Sequence, residues 1–182
     1  MSGFSPEDRR NAWWSTDSRR AVSGKAMDVI LEKQGKRERV DLSGVEAVGM
    51  GLRMESTIAA FAAEELGQVI RPLDDAVATH PLHSWFKSHG DYMGTGLLVE
   101  CKNYNAAVRS KFDAEAGIIP AADMAQLVHE ATVFGVEKIY LAVLFGGQEF
   151  FLAPFNIHEE QKTELIVKMA EVWARVQTEQ PY

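Results

Sequence analysis

The chain of 182 residues is 46% apolar and 25% charged, without a low-complexity tract, a composition that excludes a disordered chain and fits one domain with its own core. No apolar stretch approaches the roughly 20 residues that span a bilayer, the Arg-rich N-terminus holds no signal-peptide core, and Cys101 as the only cysteine excludes an intramolecular disulfide or a cysteine-rich zinc site, so a reducing, cytoplasmic setting is expected. The net charge of −7 opposes a nucleic-acid partner, but residues 1–40 hold nine basic groups against six acidic ones while the remainder holds ten against twenty, which makes the N-terminal segment either the DNA-facing side or a solvated charged face.

In chain order, residues 1–40 read as a basic helical extension packed on the core of a single domain covering residues 1–182. Ser23 is placed to cap a helix in which Ala26, Met27, Ile30 and Leu31 recur at helical spacing, ending near Lys36. A second helix is predicted over Met50 to Leu66, with Met54, Ile58, Phe61 and Ala62 on one face, Glu55 near its start and Gly67 as its C-cap. Gln68 to Thr79 reads as short strand material interrupted by Pro72 and Asp74-Asp75, and His80-Pro81 as a turn. Residues 89–93 and 97–101 form two strands joined through Gly94-Thr95-Gly96. Asn103–Ile119 has no regular pattern, and Pro120 then opens a helix through Met124, Leu127, Val128 and Ala131 that stops at Gly135. Lys138–Leu144 and Gln148–Ala153 make an apolar hairpin about Gly146-Gly147, and Glu159–Thr178 is an amphipathic closing helix. This order predicts the α/β class, a central mixed sheet flanked by helices.

Three polar residues near the predicted hairpin carry chemistry. Phosphodiester hydrolysis requires a water made more nucleophilic and stabilisation of the charge that builds on phosphorus; carboxylate-held Mg²⁺ supplies both, and a neighbouring lysine orients the water or stabilises the charge. On a strand, side chains two apart share a face, so Glu100 and Lys102 point one way and Cys101 the other, into the core. A turn that brings Asp91 alongside completes a carboxylate pair with a lysine. The tripeptide is weak by itself: Glu160-Gln161-Lys162 repeats it in the closing helix, where the two side chains diverge and the copy is expected to be surface. A cross-strand salt bridge at a sheet edge would use the same spacing.

The arrangement of Asp91, eight residues, then Glu100-Cys101-Lys102 resembles the PD-(D/E)XK nuclease motif, and the chain from about residue 9 to 160 resembles the phage lambda exonuclease family, also called YqaJ-like viral recombinases. Further matching features are Gly49-Met50-Gly51-Leu52-Arg53-Met54-Glu55, Met124-Ala125-Gln126-Leu127, and Ser18-Arg19-Arg20-Ala21-Val22-Ser23-Gly24. Gly90-Asp91-Tyr92 stands where the family usually has Ser/Pro-Asp-Gly, and Gly24 where a hydroxyl residue is common. The resemblance implies a restriction-endonuclease-like core. It implies that Asp91, Glu100 and the backbone carbonyl of Cys101 bind Mg²⁺, with Mn²⁺ as a substitute. Glu55 would support a metal directly or through water, Lys102 would assist the water and Gln126 would orient the site. Arg19, Arg20 and Ser23 would bind the DNA 5′ phosphate. It further implies 5′-to-3′ digestion of linear double-stranded DNA, a ring of three subunits, a single-strand annealing partner and, for a phage-encoded protein, the host cytoplasm.

Other features read more plainly. His80, His83 and His89 lack further ligands and suit loop and turn chemistry better than zinc, with an approach of His83 or His89 to the active site or DNA left open. Trp13-Trp14 and Trp85-Phe86 suit core packing or a subunit contact better than base stacking, and Gly146-Gly147 is a hairpin turn. Competing functions on the same core are a structure-specific or restriction-type endonuclease and a non-catalytic DNA-end-binding subunit.

Overall fold

In the computed structural model, which describes residues 6–74 and 76–178, the chain begins with α1 (Pro6–Arg10), β1 (Trp13–Trp14), α2 (Ser15–Arg20), a π-helical turn at Ala21–Lys25, α3 (Ala26–Lys33) and the long α4 (Glu46–Leu66). The short strands β2 (Arg71–Pro72), β3 (Ala78–Thr79), β4 (Phe86–Ser88) and β5 (Tyr92–Gly94) lead into β6 (Leu97–Tyr104) and a 3-10 turn at Ala106–Lys111. α5 (Ala121–Phe134), β7 (Lys138–Phe145), β8 (Glu149–Asn156) and α6 (Glu159–Gln177) complete it. Asp75 of the predicted Asp74-Asp75 break lies outside the described residues. None of the described helices is long and apolar enough to cross a membrane.

The main sheet runs β2-β5-β6-β7-β8, with β6 and β7 parallel and the other pairs antiparallel. Alternation along β6 decides its two faces. Leu97, Val99 and Cys101 pack under α4 against Ile58, Ala59 and Ala62, while Leu98 joins the larger core formed with α5 and α6, among Leu127, Ile139, Leu141 and Met169. A parallel pair needs a crossover, and α5 supplies it between β6 and β7. The fold is the α/β arrangement expected, a mixed sheet between helical layers. A second, three-stranded sheet, β1-β4-β3, fastens the N-terminal segment beside it.

The N-terminal elements differ from the reading at Ser23. The helix expected from Ser23 starts instead at Ser15, where Asp17 accepts the Trp14 amide at 2.9 Å. The helix is then broken at Gly24, whose φ of 86° lies in the left-handed region that favours glycine, so α3 restarts after it. Ser23 is therefore no cap; its exposed hydroxyl donates to the carbonyl of Arg20. Elsewhere the departures are small: α4 starts at Glu46, β6 runs on to Tyr104, and α4 and α5 end on Gly67 and Gly135 as their sequences predict. Residues 89–91 precede β5 rather than belonging to it.

A buried polar chain locks α2 to α5. The Trp13 indole N–H donates to Ser18 Oγ at 3.0 Å, Ser18 lies 2.8 Å from His129 Nδ1, and His129 Nε2 lies 2.9 Å from the Lys87 carbonyl. A carbonyl only accepts, so His129 carries its proton on Nε2 and accepts from Ser18 on Nδ1. Burial drives the His129 pKa down to about 3, against the opposing hydrogen bond to Lys87. Folded His129 is thus neutral, whereas unfolded His129 gains a proton below the ordinary histidine value of 6.5. Its contribution is complete above that pH and is lost as pH falls toward 3. Urea unfolding at pH 7 and pH 5 should show wild type losing about 2 kcal/mol more than His129→Gln; equal losses would remove His129 from the acid response.

Candidate active site

Asp91, Glu100 and Lys102 meet because of register. Tyr92 pairs with Val99, so Asp91, one residue before β5, comes opposite Glu100 on β6. Asp91 is held from both sides: its carbonyl accepts the Leu73 amide at 2.9 Å, and its Oδ2 accepts the Cys101 amide at 2.8 Å. Gly90 before it is packed so closely that a Cβ would lie 2.7 Å from Leu73 Cδ1 and 3.2 Å from Phe134 Cε2. A side chain there would push on the segment that carries Asp91.

Glu100 is 3% exposed and its Oε1 takes two donors, the Lys102 ammonium and, at 2.6 Å, Gln126 Nε2. Asp91 Oδ1 and Glu100 Oε2 accept no hydrogen bond among the described residues. Each carboxylate therefore has one oxygen anchored and the other open. Glu55 on α4 and Glu130 on α5 also line this cavity of about 920 Å³. Burial raises the pKa of Asp91, Glu130 and Glu55, and the negative charge of Glu100 raises each further. Burial alone would lower the Lys102 pKa, but Glu100 and Asp91 outweigh it, and Lys102 keeps its proton. Four carboxyls thus surround one ammonium.

The donor set suits a hard divalent cation. Among the described residues no three His, Cys, Asp or Glu side chains form a ready-made cage. Mg²⁺ needs none, since it is commonly held by one or two carboxylates while water and substrate oxygens fill the rest of its octahedron. Asp91 and Glu100 meet that requirement, and a cation there would offset the excess negative charge.

Of the three residues read as a phosphate pocket, only Arg19 lines the cavity. Its guanidinium donates to Asp123 at 2.9 Å and to the Tyr104 hydroxyl at 3.0 Å, and that hydroxyl donates to Asp123 at 2.7 Å. Arg20 instead forks onto Glu32 with two contacts of 2.6 Å, and Ser23 is exposed. Both lie outside the lining. Cys101 points away, under α4, and burial raises its thiol pKa, which removes it as a nucleophile. In the second Glu-x-Lys copy Glu160 is exposed, but Lys162 is buried and pairs with Glu159 at 2.7 Å, so that half is not surface. Of the three histidines, His80 does turn chemistry, its Nδ1 accepting the Leu82 and His83 amides at 3.2 Å each, whereas His89 lines the cavity. Trp13 packs in the core and meets Trp173 edge-on, whereas Trp14 stacks on His89 at 4.9 Å beside the cavity.

The chain is similar to the alkaline exonuclease LHK-Exo from Laribacter hongkongensis, at 13% identity and a TM-score of 0.76, with 96% of this chain and 92% of that one covered. It is also similar to a phage-related exonuclease from Haemophilus somnus 129PT, at 12% identity and a TM-score of 0.60, with 90% and 80% covered. The chain has the fold of these exonucleases. No family model matches its sequence, and no curated protein matches it either. At such identities the likeness is one of backbone arrangement.

Within this exonuclease fold, sequence reasoning missed Glu130, Tyr104, Asp123, Ser15 and Thr16, all positioned at the cavity or behind Arg19. Glu130 was signalled only by lying four residues after Gln126 on one helix. Asp17, three residues after Trp14, was the signal for the true start of α2.

Proposed function

We propose that this protein is a Mg²⁺-dependent DNA exonuclease, active also with Mn²⁺, that digests linear double-stranded DNA from 5′ ends and leaves 3′ single-stranded tails. The observation that carries the proposal is the pairing of Asp91 and Glu100 beside Lys102, with one oxygen of each carboxylate anchored and one open. The fold shared with LHK-Exo supports it. LHK-Exo is also known in complex with dAMP, and a deoxynucleoside monophosphate is what stepwise hydrolysis of a DNA strand releases.

A bound Mg²⁺ would supply positive charge that activates water and offsets the charge growing on the phosphate. Asp91 and Glu100 would hold it, with the Cys101 carbonyl completing the protein's share and Glu55 reaching it directly or through water. Lys102, retaining its proton, would donate toward the non-bridging phosphate oxygens and fix the approach of water. Gln126 would keep Glu100 in place. Arg19, braced by Asp123 and Tyr104, would take the 5′ phosphate. A homotrimeric ring and a single-strand annealing partner belong to the same proposal.

An end-labelled linear duplex bearing a 5′ phosphate tests it. Mononucleotides should appear from the 5′ end in Mg²⁺, none in EDTA, and closed circular DNA should stay intact. Cutting of closed circles would overturn the exonuclease reading in favour of an endonuclease, and no digestion at all would overturn the nuclease reading.

A further inference from the structure

Glu130 is 1% exposed, deep in α5. It lies one helical turn after Gln126, and the two share a face. Gln126 Nε2 donates one hydrogen to Glu130 Oε1 at 2.9 Å and the other to Glu100 Oε1 at 2.6 Å. A primary amide has only two donors, and both are spent on carboxyl oxygens. The amide has no choice of orientation: turned over, its carbonyl would face two acceptors. Its own Oε1 is consequently directed elsewhere, buried and without a hydrogen-bond partner, which is a cost that a purely structural glutamine avoids.

We infer that Glu130 is a positioning residue: by holding the Gln126 amide it fixes which oxygen of Glu100 is anchored and which is left for the cation. The inference rests on the nuclease reading for its consequence and on hydrogen-bond geometry for its cause. Without the Glu130 acceptor, one N–H of Gln126 is left buried and unsatisfied. The amide then gains by rotating away, and the second anchor on Glu100 is lost. Glu130→Gln keeps an acceptor oxygen at nearly the same place; Glu130→Leu keeps the volume and removes it. Partners standing behind metal-binding groups typically contribute about 10–100-fold in metal affinity or activity.

The test measures Mn²⁺ binding by calorimetry, together with kcat and KM on linear duplex, for wild type, both variants, Gln126→Ala and the double variant Gln126→Ala/Glu130→Leu. Glu130→Leu should weaken Mn²⁺ binding and lower kcat by about 10–100-fold with KM for DNA unchanged, while Glu130→Gln stays within a few-fold of wild type. In the Gln126→Ala background the Glu130→Leu change should have little further effect, because Glu130 acts through the amide. Additive losses, wild-type Mn²⁺ binding by Glu130→Leu, or Glu130→Gln as poor as Glu130→Leu would overturn the inference. Should Glu130→Leu fail to fold, the contrast between Glu130→Gln and Gln126→Ala decides it: Glu130→Gln matching Gln126→Ala in weakened Mn²⁺ binding overturns the inference, and retained binding supports it. Wild-type protein that neither binds Mn²⁺ nor cuts DNA would overturn the nuclease reading instead.

Discussion

Lys102→Ala is expected to lower kcat on linear duplex DNA by about 10²–10³-fold, the loss seen when one preorganised donor to a developing oxyanion is removed. The ammonium sits on Glu100 and keeps its proton because the two carboxylates outweigh burial. It therefore works as a fixed positive donor, and its loss should weaken the transition state more than the ground state. Metal binding should survive, since Asp91 and Glu100 are both retained and Gln126 still anchors Glu100. Lys102→Arg should not restore the rate, because a planar guanidinium cannot occupy the position of a compact ammonium against Glu100. Single-turnover cleavage at saturating Mg²⁺, with Mn²⁺ calorimetry alongside, separates the two effects. A variant that cuts at the wild-type rate would remove Lys102 from the chemistry.

Asp91→Asn should do two opposite things. Activity should fall by more than about 100-fold, beyond the loss from an outer-shell partner, because a neutral amide replaces a metal-holding carboxylate. The metal-free protein should at the same time become more stable by about 1–2 kcal/mol near neutral pH, as happens when a strained site is relieved of an uncompensated buried charge. The side chain keeps its shape, and its Oδ1 can still accept the Cys101 amide. The sign follows from burial and from Glu100, which raise the folded pKa of Asp91 above its usual 3.8. The folded chain then holds that proton more tightly than the unfolded one, so the wild-type penalty grows as pH rises from 3.8 and the advantage of Asn vanishes near pH 4. Thermal melts with and without MgCl₂ supply the measurement. Mg²⁺ should raise the melting temperature of wild type and leave the variant unchanged; the reverse pattern would dissociate Asp91 from the metal.

Much of the site was legible wherever a local period controls the outcome. Two-residue alternation placed Glu100 and Lys102 on one face of β6 and Cys101 on the other, and helix-ending glycines placed the limits of α4 and α5. The N-terminal pocket was less legible. Ser15-Thr16 and Ser23 are both acceptable helix starts, and the choice turned on Asp17 capping Trp14 and on a left-handed Gly24. The decoy at Glu160-Gln161-Lys162 misled in a smaller way, since the aliphatic stem of Lys162 packs inward while its ammonium reaches an exposed Glu159.

The sequence by itself determined the order of elements, the faces of β6 and the types of residue available for chemistry, because these depend on neighbours within a few positions. Only the tertiary structure decided that Asp91 stands opposite Glu100, that Arg19 but neither Arg20 nor Ser23 reaches the cavity, and that Glu130 is buried behind Gln126. Those outcomes depend on strand register and on which helix face meets the sheet or the cavity. Each is settled by contacts between residues distant in the chain, and no local period records them.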